Sequence, residues 1–233
     1  MSTVLAYKTK STSILITDTR ITSYQNFSIN DDNVKMHYIP KKGFIAGVGV
    51  GELLLQMQSI ILLNTNLDVY RPVLRESFLT AYQSLSKQCS EKSIMERLKR
   101  TGICVSWKDN GCCNLRLFSY GFEEGIFRDL KESVIDILYP DDIDEDTRLK
   151  INQGLDINND INYVLLKMLE TFKVISEKSK FVSCKACIGI IFAESESPWY
   201  CEGNIHDLLE LHLVGKMENV FDIHSEKLER NGL

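Results

Sequence analysis

Short apolar runs separated by polar breaks dominate the first fifty positions. Residues 3–9 and 13–17 are apolar-rich and flank the polar stretch Lys10-Ser11-Thr12, which predicts a hairpin starting at the first residues. Residues 24–33 are rich in Asn, Asp and Ser and are expected to form a loop. A second strand pair is expected over residues 34–39 and 44–48, joined through Pro40-Lys41-Lys42-Gly43. The period then changes. Residues 51–63 read as a helix, and so do residues 72–88, with Pro72 in the first turn and Val73, Phe78, Ala81, Tyr82 and Leu85 on one face. Strands return over residues 102–107 and 114–118, split by Lys108-Asp109-Asn110-Gly111, whose Asn-Gly pair favours a tight hairpin turn.

Residues 131–159 carry no clear period. Their acidic positions Asp141, Asp142, Asp144, Glu145 and Asp146 fit either a solvated segment or a helix start. An amphipathic helix is expected over residues 161–176, a buried strand over 182–193, a loop over 200–204 and a short helix over 205–213. Strands in runs followed by helices in runs point to stacked layers rather than alternating βαβ units. There is no internal repeat, low-complexity tract or linker, so residues 1–233 read as one domain.

Composition narrows the function classes. At 233 residues and 44% hydrophobic content, the chain can bury a large core. A net charge of -5 argues against a general nucleic-acid binder, which shows a basic stripe. The longest apolar candidate, residues 53–63, is interrupted by Gln56, Gln58 and Ser59 and reads as a buried helix rather than a membrane span. Lys8, Lys10, Asp18 and Arg20 break up the opening in a way no signal peptide does, so a cytoplasmic protein is expected. The seven scattered cysteines (Cys89, Cys104, Cys112, Cys113, Cys184, Cys187 and Cys201) read as free thiols rather than a disulfide framework. Cys184 and Cys187 form a lone C-x-x-C with no second ligand pair, so no zinc site and no cofactor is expected.

Two stretches carry a family likeness. The opening Ser2-Thr3-Val4-Leu5-Ala6-Tyr7, a polar spacer, and then Ile14-Leu15-Ile16-Thr17-Asp18-Thr19-Arg20-Ile21-Thr22 form the first. Val34-Lys35-Met36-His37-Tyr38-Ile39 followed by Phe44-Ile45-Ala46-Gly47-Val48-Gly49 form the second. Together they resemble the start of proteasome β subunits and of their bacterial ATP-dependent peptidase relatives, the N-terminal-nucleophile hydrolases. The resemblance implies an α+β fold: a four-layer αββα sandwich of two mainly antiparallel sheets. With Ser2 at the nucleophile position, Asp18 falls on the family's aspartate without a gap. Lys35 matches its lysine after one inserted residue, and Gly49 its oxyanion-hole glycine.

The chemistry implied is amide hydrolysis. Ser2, exposed by removal of Met1, would attack through its hydroxyl and take up the proton on its free α-amine, whose ordinary pKa is near 8. Thr is the usual residue at this place in the family, and Thr3 stands next door. Lys35 would lower the pKa of its neighbours, and Asp18 would pair with it and offset its burial. Gly49 would offer a backbone N–H to the oxyanion. Arg20 would organise the backbone, Thr22 would hold substrate backbone, and Asp156 in Gly154-Leu155-Asp156 is the match for a later family aspartate.

Taken without the likeness, the same residues read more plainly. Ser2 is a common second residue, Asp18 and Lys35 an inter-strand ion pair, and Gly49 a turn glycine. The family's Gly-Ser-Gly-like central segment has no counterpart between Arg116 and Asn152; Ser119-Tyr120-Gly121 and Ser133 lie in other contexts. The leading expectation is a peptidase acting on unfolded polypeptide as a closed homo-oligomer, served by an ATP-dependent unfoldase. A catalytically inactive scaffold and an amidase for small molecules are the rivals.

Overall fold

A computed structural model describes residues 2–22, 29–33, 35–39, 43–49, 101–119, 127–155 and 160–217, together with residues 54, 80, 83, 86, 87, 90–93, 96 and 221. The hairpin of β1 (Val4–Lys8) and β2 (Thr12–Asp18) forms as its pattern predicts, and two further short strands follow, β3 (Ile21–Thr22) and β4 (Ile29–Asn30). Then come β5 (Met36–Ile39), β6 (Gly43–Val48), β7 (Gly102–Asp109), β8 (Cys112–Ser119), β9 (Phe127–Asp129) and β10 (Ile135–Leu138). Helices α1 (Glu145–Gln153) and α2 (Ile161–Lys178) precede β11 (Lys185–Phe192) and β12 (Trp199–Asn204), and α3 (Ile205–Leu213) follows.

These strands build two five-stranded sheets, ordered β10-β1-β2-β11-β12 and β5-β6-β7-β8-β9, and the two-stranded ribbon β3-β4. Every pairing among the described strands is antiparallel. The sheets pack face to face: Val4, Ala6 and Leu15 of the first meet Phe44, Ala46, Cys104 and Leu115 of the second. On the far face of the first sheet, Leu5, Ile14, Ile16 and Ile188 pack against Val164, Met168, Leu169 and Phe172 of α2. Both faces of β2 are therefore covered, and all seven of its residues are buried. An antiparallel strand with one wet face alternates apolar and polar residues. This one cannot, which is why Ser13-Ile14-Leu15-Ile16-Thr17 reads as a run. Its polar members are satisfied internally: Ser13 Oγ lies 2.6 Å from Ser106 Oγ across the sandwich.

The outer face of the second sheet is also buried. Ile45 and Ile103 alternate with inward-facing Phe44, Ala46 and Cys104 and are fully enclosed. Helical Leu54 lies over Gly47 on that side. The helices expected over residues 51–63 and 72–88 otherwise fall outside the described residues, apart from Thr80, Gln83 and Ser86, which are helical, and Lys87, which lies in a turn.

Three differences from the sequence reading have physical causes. Residues 200–204, expected as loop, belong to β12, where Trp199, Tyr200 and Cys201 pair with β11 while the polar half, Glu202-Gly203-Asn204, masks the alternation. The edge strand β10 is four residues long inside a polar stretch, too short to show a period. The loop expected over 24–33 contains β4, which pairs with β3. The acidic stretch is a helix start: Asp144 caps α1 by accepting from the Thr147 N–H at 2.8 Å. Asp142 is also engaged, holding Ser179 Oγ at 2.7 Å and the Lys180 N–H at 3.0 Å. None of the described helices is long and apolar enough to cross a membrane.

The sheets come close together at Gly189 on β11. A methyl group there would stand 2.7 Å from Phe44 Cδ2 and 2.8 Å from Met36 Sδ, inside van der Waals contact. Gly189→Ala is expected to destabilise the fold by about 1–3 kcal/mol through overpacking. Combining it with Phe44→Leu should recover part of that loss, which a urea-denaturation double-mutant cycle measures. Strict additivity would mean the two positions do not press on each other.

Candidate active site

The register Val4↔Thr17 of the first hairpin brings the residues just before β1 alongside the end of β2. Ser2 and Thr3 therefore stand beside Asp18. The register Met36↔Ala46 puts Lys35, just ahead of β5, at the end of the second sheet where β6 runs out toward Gly49. Chain segments far apart in sequence thus deliver Ser2, Asp18 and Lys35 to the same end of the sandwich.

The three make direct contact. Lys35 Nζ lies 2.5 Å from Ser2 Oγ and 2.8 Å from Asp18 Oδ2. The Lys35 side chain is 9% exposed, that of Asp18 0%, and Ser2 as a whole 7%. A carboxylate so deeply buried needs full hydrogen bonding as well as a counter-charge. Asp18 has both: Oδ1 accepts the Thr3 N–H at 3.1 Å, and Oδ2 accepts the Arg20 N–H at 2.9 Å beside the lysine. Burial pushes the Lys35 ammonium below the ordinary lysine range, and the Asp18 carboxylate opposes that shift. Cys187, paired with Thr17 on the neighbouring strand, is also buried. Its thiol is pushed up to about 11 by burial, so it stays neutral near pH 7 and adds no second anion.

The geometry separates the two adjacent hydroxyls. Thr3 is fully buried, and its Oγ1 donates to the Leu138 carbonyl at 2.9 Å, while its own carbonyl accepts from Thr17 Oγ1 at 3.0 Å. Thr3 is a fixed strap. Ser2 is the residue whose hydroxyl meets the lysine. With Lys35 charged, Nζ donates to Oγ; with Lys35 neutral, Nζ can accept the Oγ proton, and the depressed pKa brings that form closer to neutral pH.

Gly49 has φ +110°, and a Cβ there would stand 2.4 Å from Thr101 Oγ1 and 2.5 Å from Thr101 Cα. Only glycine fits such a left-handed backbone at this approach. Arg20 sets its guanidinium on Asp31, with Nε–Oδ1 at 2.6 Å, Nη2–Oδ2 at 2.7 Å and Nη1 donating to the Lys180 carbonyl at 2.7 Å. Thr22 lies in β3, its backbone paired with Ile29. Asp156 lies outside the described residues. Cys184 is exposed while Cys187 faces the core. Among the described residues no group of three or more His, Cys, Asp or Glu side chains gathers as a metal site.

Two residues that sequence reasoning passed over join this neighbourhood. Asp31 fell within a stretch read as polar loop, and its only signal was the doublet Asp31-Asp32. Ser183 lies within the stretch 182–193 expected as a buried strand. Its Oγ accepts the Thr19 N–H at 3.2 Å, lies 3.0 Å from Thr19 Oγ1 and donates to the Lys185 carbonyl at 3.0 Å.

Lys35→Met is expected to cost about 3–5 kcal/mol, because it strands a buried carboxylate, and Lys35→Met/Asp18→Asn to cost less than the sum of the singles. The pH dependence has a definite sign. Between the depressed folded value of Lys35 and its ordinary 10.5, the unfolded chain binds the extra proton, so this group makes stability rise with pH across that window. The stability difference between wild type and Lys35→Met should therefore widen as pH is raised toward 10.5 in chemical denaturation series. A difference that narrows would refute the depressed lysine.

Compared with known proteins, the chain matches no family model, and a search of curated proteins finds no similar sequence.

Proposed function

We propose that this chain is an N-terminal-nucleophile hydrolase that cleaves peptide bonds with Ser2, once Met1 is removed. The observation that carries the reading is the buried contact of Ser2 Oγ with Lys35 Nζ at 2.5 Å, backed by Asp18 at 2.8 Å. On this reading the finer architecture is the four-layer αββα sandwich of the proteasome-like hydrolases.

Ser2 Oγ attacks the scissile carbonyl carbon as its proton passes to the freed α-amine or to neutral Lys35. The carbonyl oxygen becomes an oxyanion facing the Gly49 backbone N–H. Collapse of the tetrahedral intermediate breaks the C–N bond, the leaving amine takes the proton, and an acyl ester on Ser2 remains for water to hydrolyse. Asp18 holds Lys35 in place throughout. Unfolded polypeptide is the substrate, delivered by an ATP-dependent unfoldase to a closed cytoplasmic homo-oligomer; this part rests on the family resemblance alone.

One observation favours a catalytically inactive scaffold. The Gly-Ser-Gly-like central segment that the resemblance calls for, whose serine would assist the amine, has no counterpart between Arg116 and Asn152. Intact mass spectrometry of untagged protein after incubation with a peptide epoxyketone decides between the two. Such a probe reacts with both the hydroxyl and the free amine of an N-terminal nucleophile. Loss of Met1 with one adduct mapped to Ser2 is expected, and Ser2→Ala should abolish the adduct and lower peptide turnover at least about 10³-fold. Retained Met1 with no adduct sinks the hydrolase and leaves the scaffold.

A further inference from the structure

The ribbon β3-β4 follows β2 beside the candidate site and displays two apolar side chains to solvent, Ile21 at 48% and Ile29 at 56% exposure. Two strands of two residues each are too short to hold themselves. The fixation comes from its base. Ile21 pairs with Asn30, so the next rung of the ladder is Arg20 against Asp31. These two side chains form a bidentate ion pair at 2.6 and 2.7 Å. The pair lowers the Asp31 carboxyl and raises the Arg20 guanidinium from their ordinary values.

The same rung is tied on every side. Thr19 Oγ1 donates to the Asp31 carbonyl at 2.5 Å, and the Asn33 N–H donates to the Thr19 carbonyl at 3.3 Å. Arg20 Nη1 reaches the Lys180 carbonyl, and Lys185 pairs with Asp32, so the turn after α2 and the start of β11 grip the ribbon's foot. The Arg20 backbone N–H at the same time binds Asp18. A single residue therefore joins the buried ion pair to the exposed ribbon.

We propose that Asp31 is a positioning residue: through Arg20 it clamps the base of the β3-β4 ribbon and so fixes the edge on which an extended peptide substrate lies, without acting on the reacting atoms. The inference rests on the hydrolase reading for its substrate. The clamp itself is a property of the fold. Because the Arg20 and Asp31 side chains are 19% and 36% exposed, the clamp is open to screening by salt.

The test compares wild type, Asp31→Asn and the charge swap Arg20→Asp/Asp31→Arg by three readouts. Phenylmethanesulfonyl fluoride, too small to use the ribbon, reports the Ser2 hydroxyl, and its rate of modification is expected to be equal in wild type and Asp31→Asn. For an extended fluorogenic peptide, Asp31→Asn should raise KM about fivefold or more with kcat little changed. High salt should raise the wild-type KM toward that of the variant, and the swap should restore part of the loss. Amide hydrogen exchange at residues 20–22 and 29–31 should speed up in Asp31→Asn while β2 and β11 stay protected.

An unchanged KM in a protein whose Ser2 is modified overturns the positioning role while the hydrolase stands. So does a fall in kcat and in sulfonyl fluoride rate at constant KM, which would put Asp31 on the nucleophile instead. If wild-type Ser2 is not modified at all, the hydrolase reading fails. The exchange data then judge the clamp alone, and unchanged exchange at the ribbon overturns it.

Discussion

The Asp18 carboxylate is the constraint around which this end of the molecule is organised. It is fully buried and accepts from the Thr3 and Arg20 N–H groups and from Lys35 Nζ. Each donor belongs to a different stretch of chain: the entry to β1, the exit from β2, and the approach to β5. A buried charge left short of partners costs several kcal/mol, so the three segments are held to one another far more firmly than surface ion pairing would hold them. The position of Ser2 follows. Its neighbour Thr3 is tied at N–H, carbonyl and hydroxyl, which leaves the Ser2 side chain directed at Lys35.

That arrangement needs a sandwich with no wet face near the site. The first sheet is covered by the second sheet on one side and by α2 on the other, and β2 runs through its middle with every residue buried. The low-dielectric setting depresses Lys35 and keeps the Cys187 thiol neutral. Gly189 contributes by letting the sheets approach where Phe44 and Met36 fill the space between them. Packing and electrostatics therefore act together: the closer the sheets, the less water reaches the ion pair, and the more it depends on the Asp18 hydrogen bonds.

What was legible in the sequence divides along the same physical line. Long or strongly patterned elements stood out: the first hairpin, the Asn110-Gly111 turn between β7 and β8, α2, β11, and α3 over residues 205–213. Ser2, Asp18, Lys35 and Gly49 could be named because a family spacing linked them, and the first three are in direct contact. Edge strands β10 and β12 were not legible, since an edge needs few residues and tolerates polar ones. Asp31 and Ser183 were hidden for another reason. Each serves a partner more than ten positions away, Arg20 and Thr19 respectively, and nothing local marks a residue whose meaning is a distant contact, whether in a polar loop like Asp31 or in an apolar run like Ser183.

The end of β10 meets this end of the sandwich through its backbone. Beyond it, between Tyr139 and Asp144, two acidic groups are committed to the fold: Asp142 to Ser179 and the Lys180 N–H, and Asp144 to the cap of α1. What this region contributes to the site is a backbone group, the Leu138 carbonyl that holds Thr3 Oγ1. It fixes the backbone next to Ser2 but has no proton to give or take. Under the hydrolase reading, proton transfer then falls on the Ser2 amine and on Lys35. The lysine is suited to both steps, because burial favours its neutral form and Asp18 its charged one. On that reading Asp18 sets the balance, because it opposes the shift that burial imposes on Lys35.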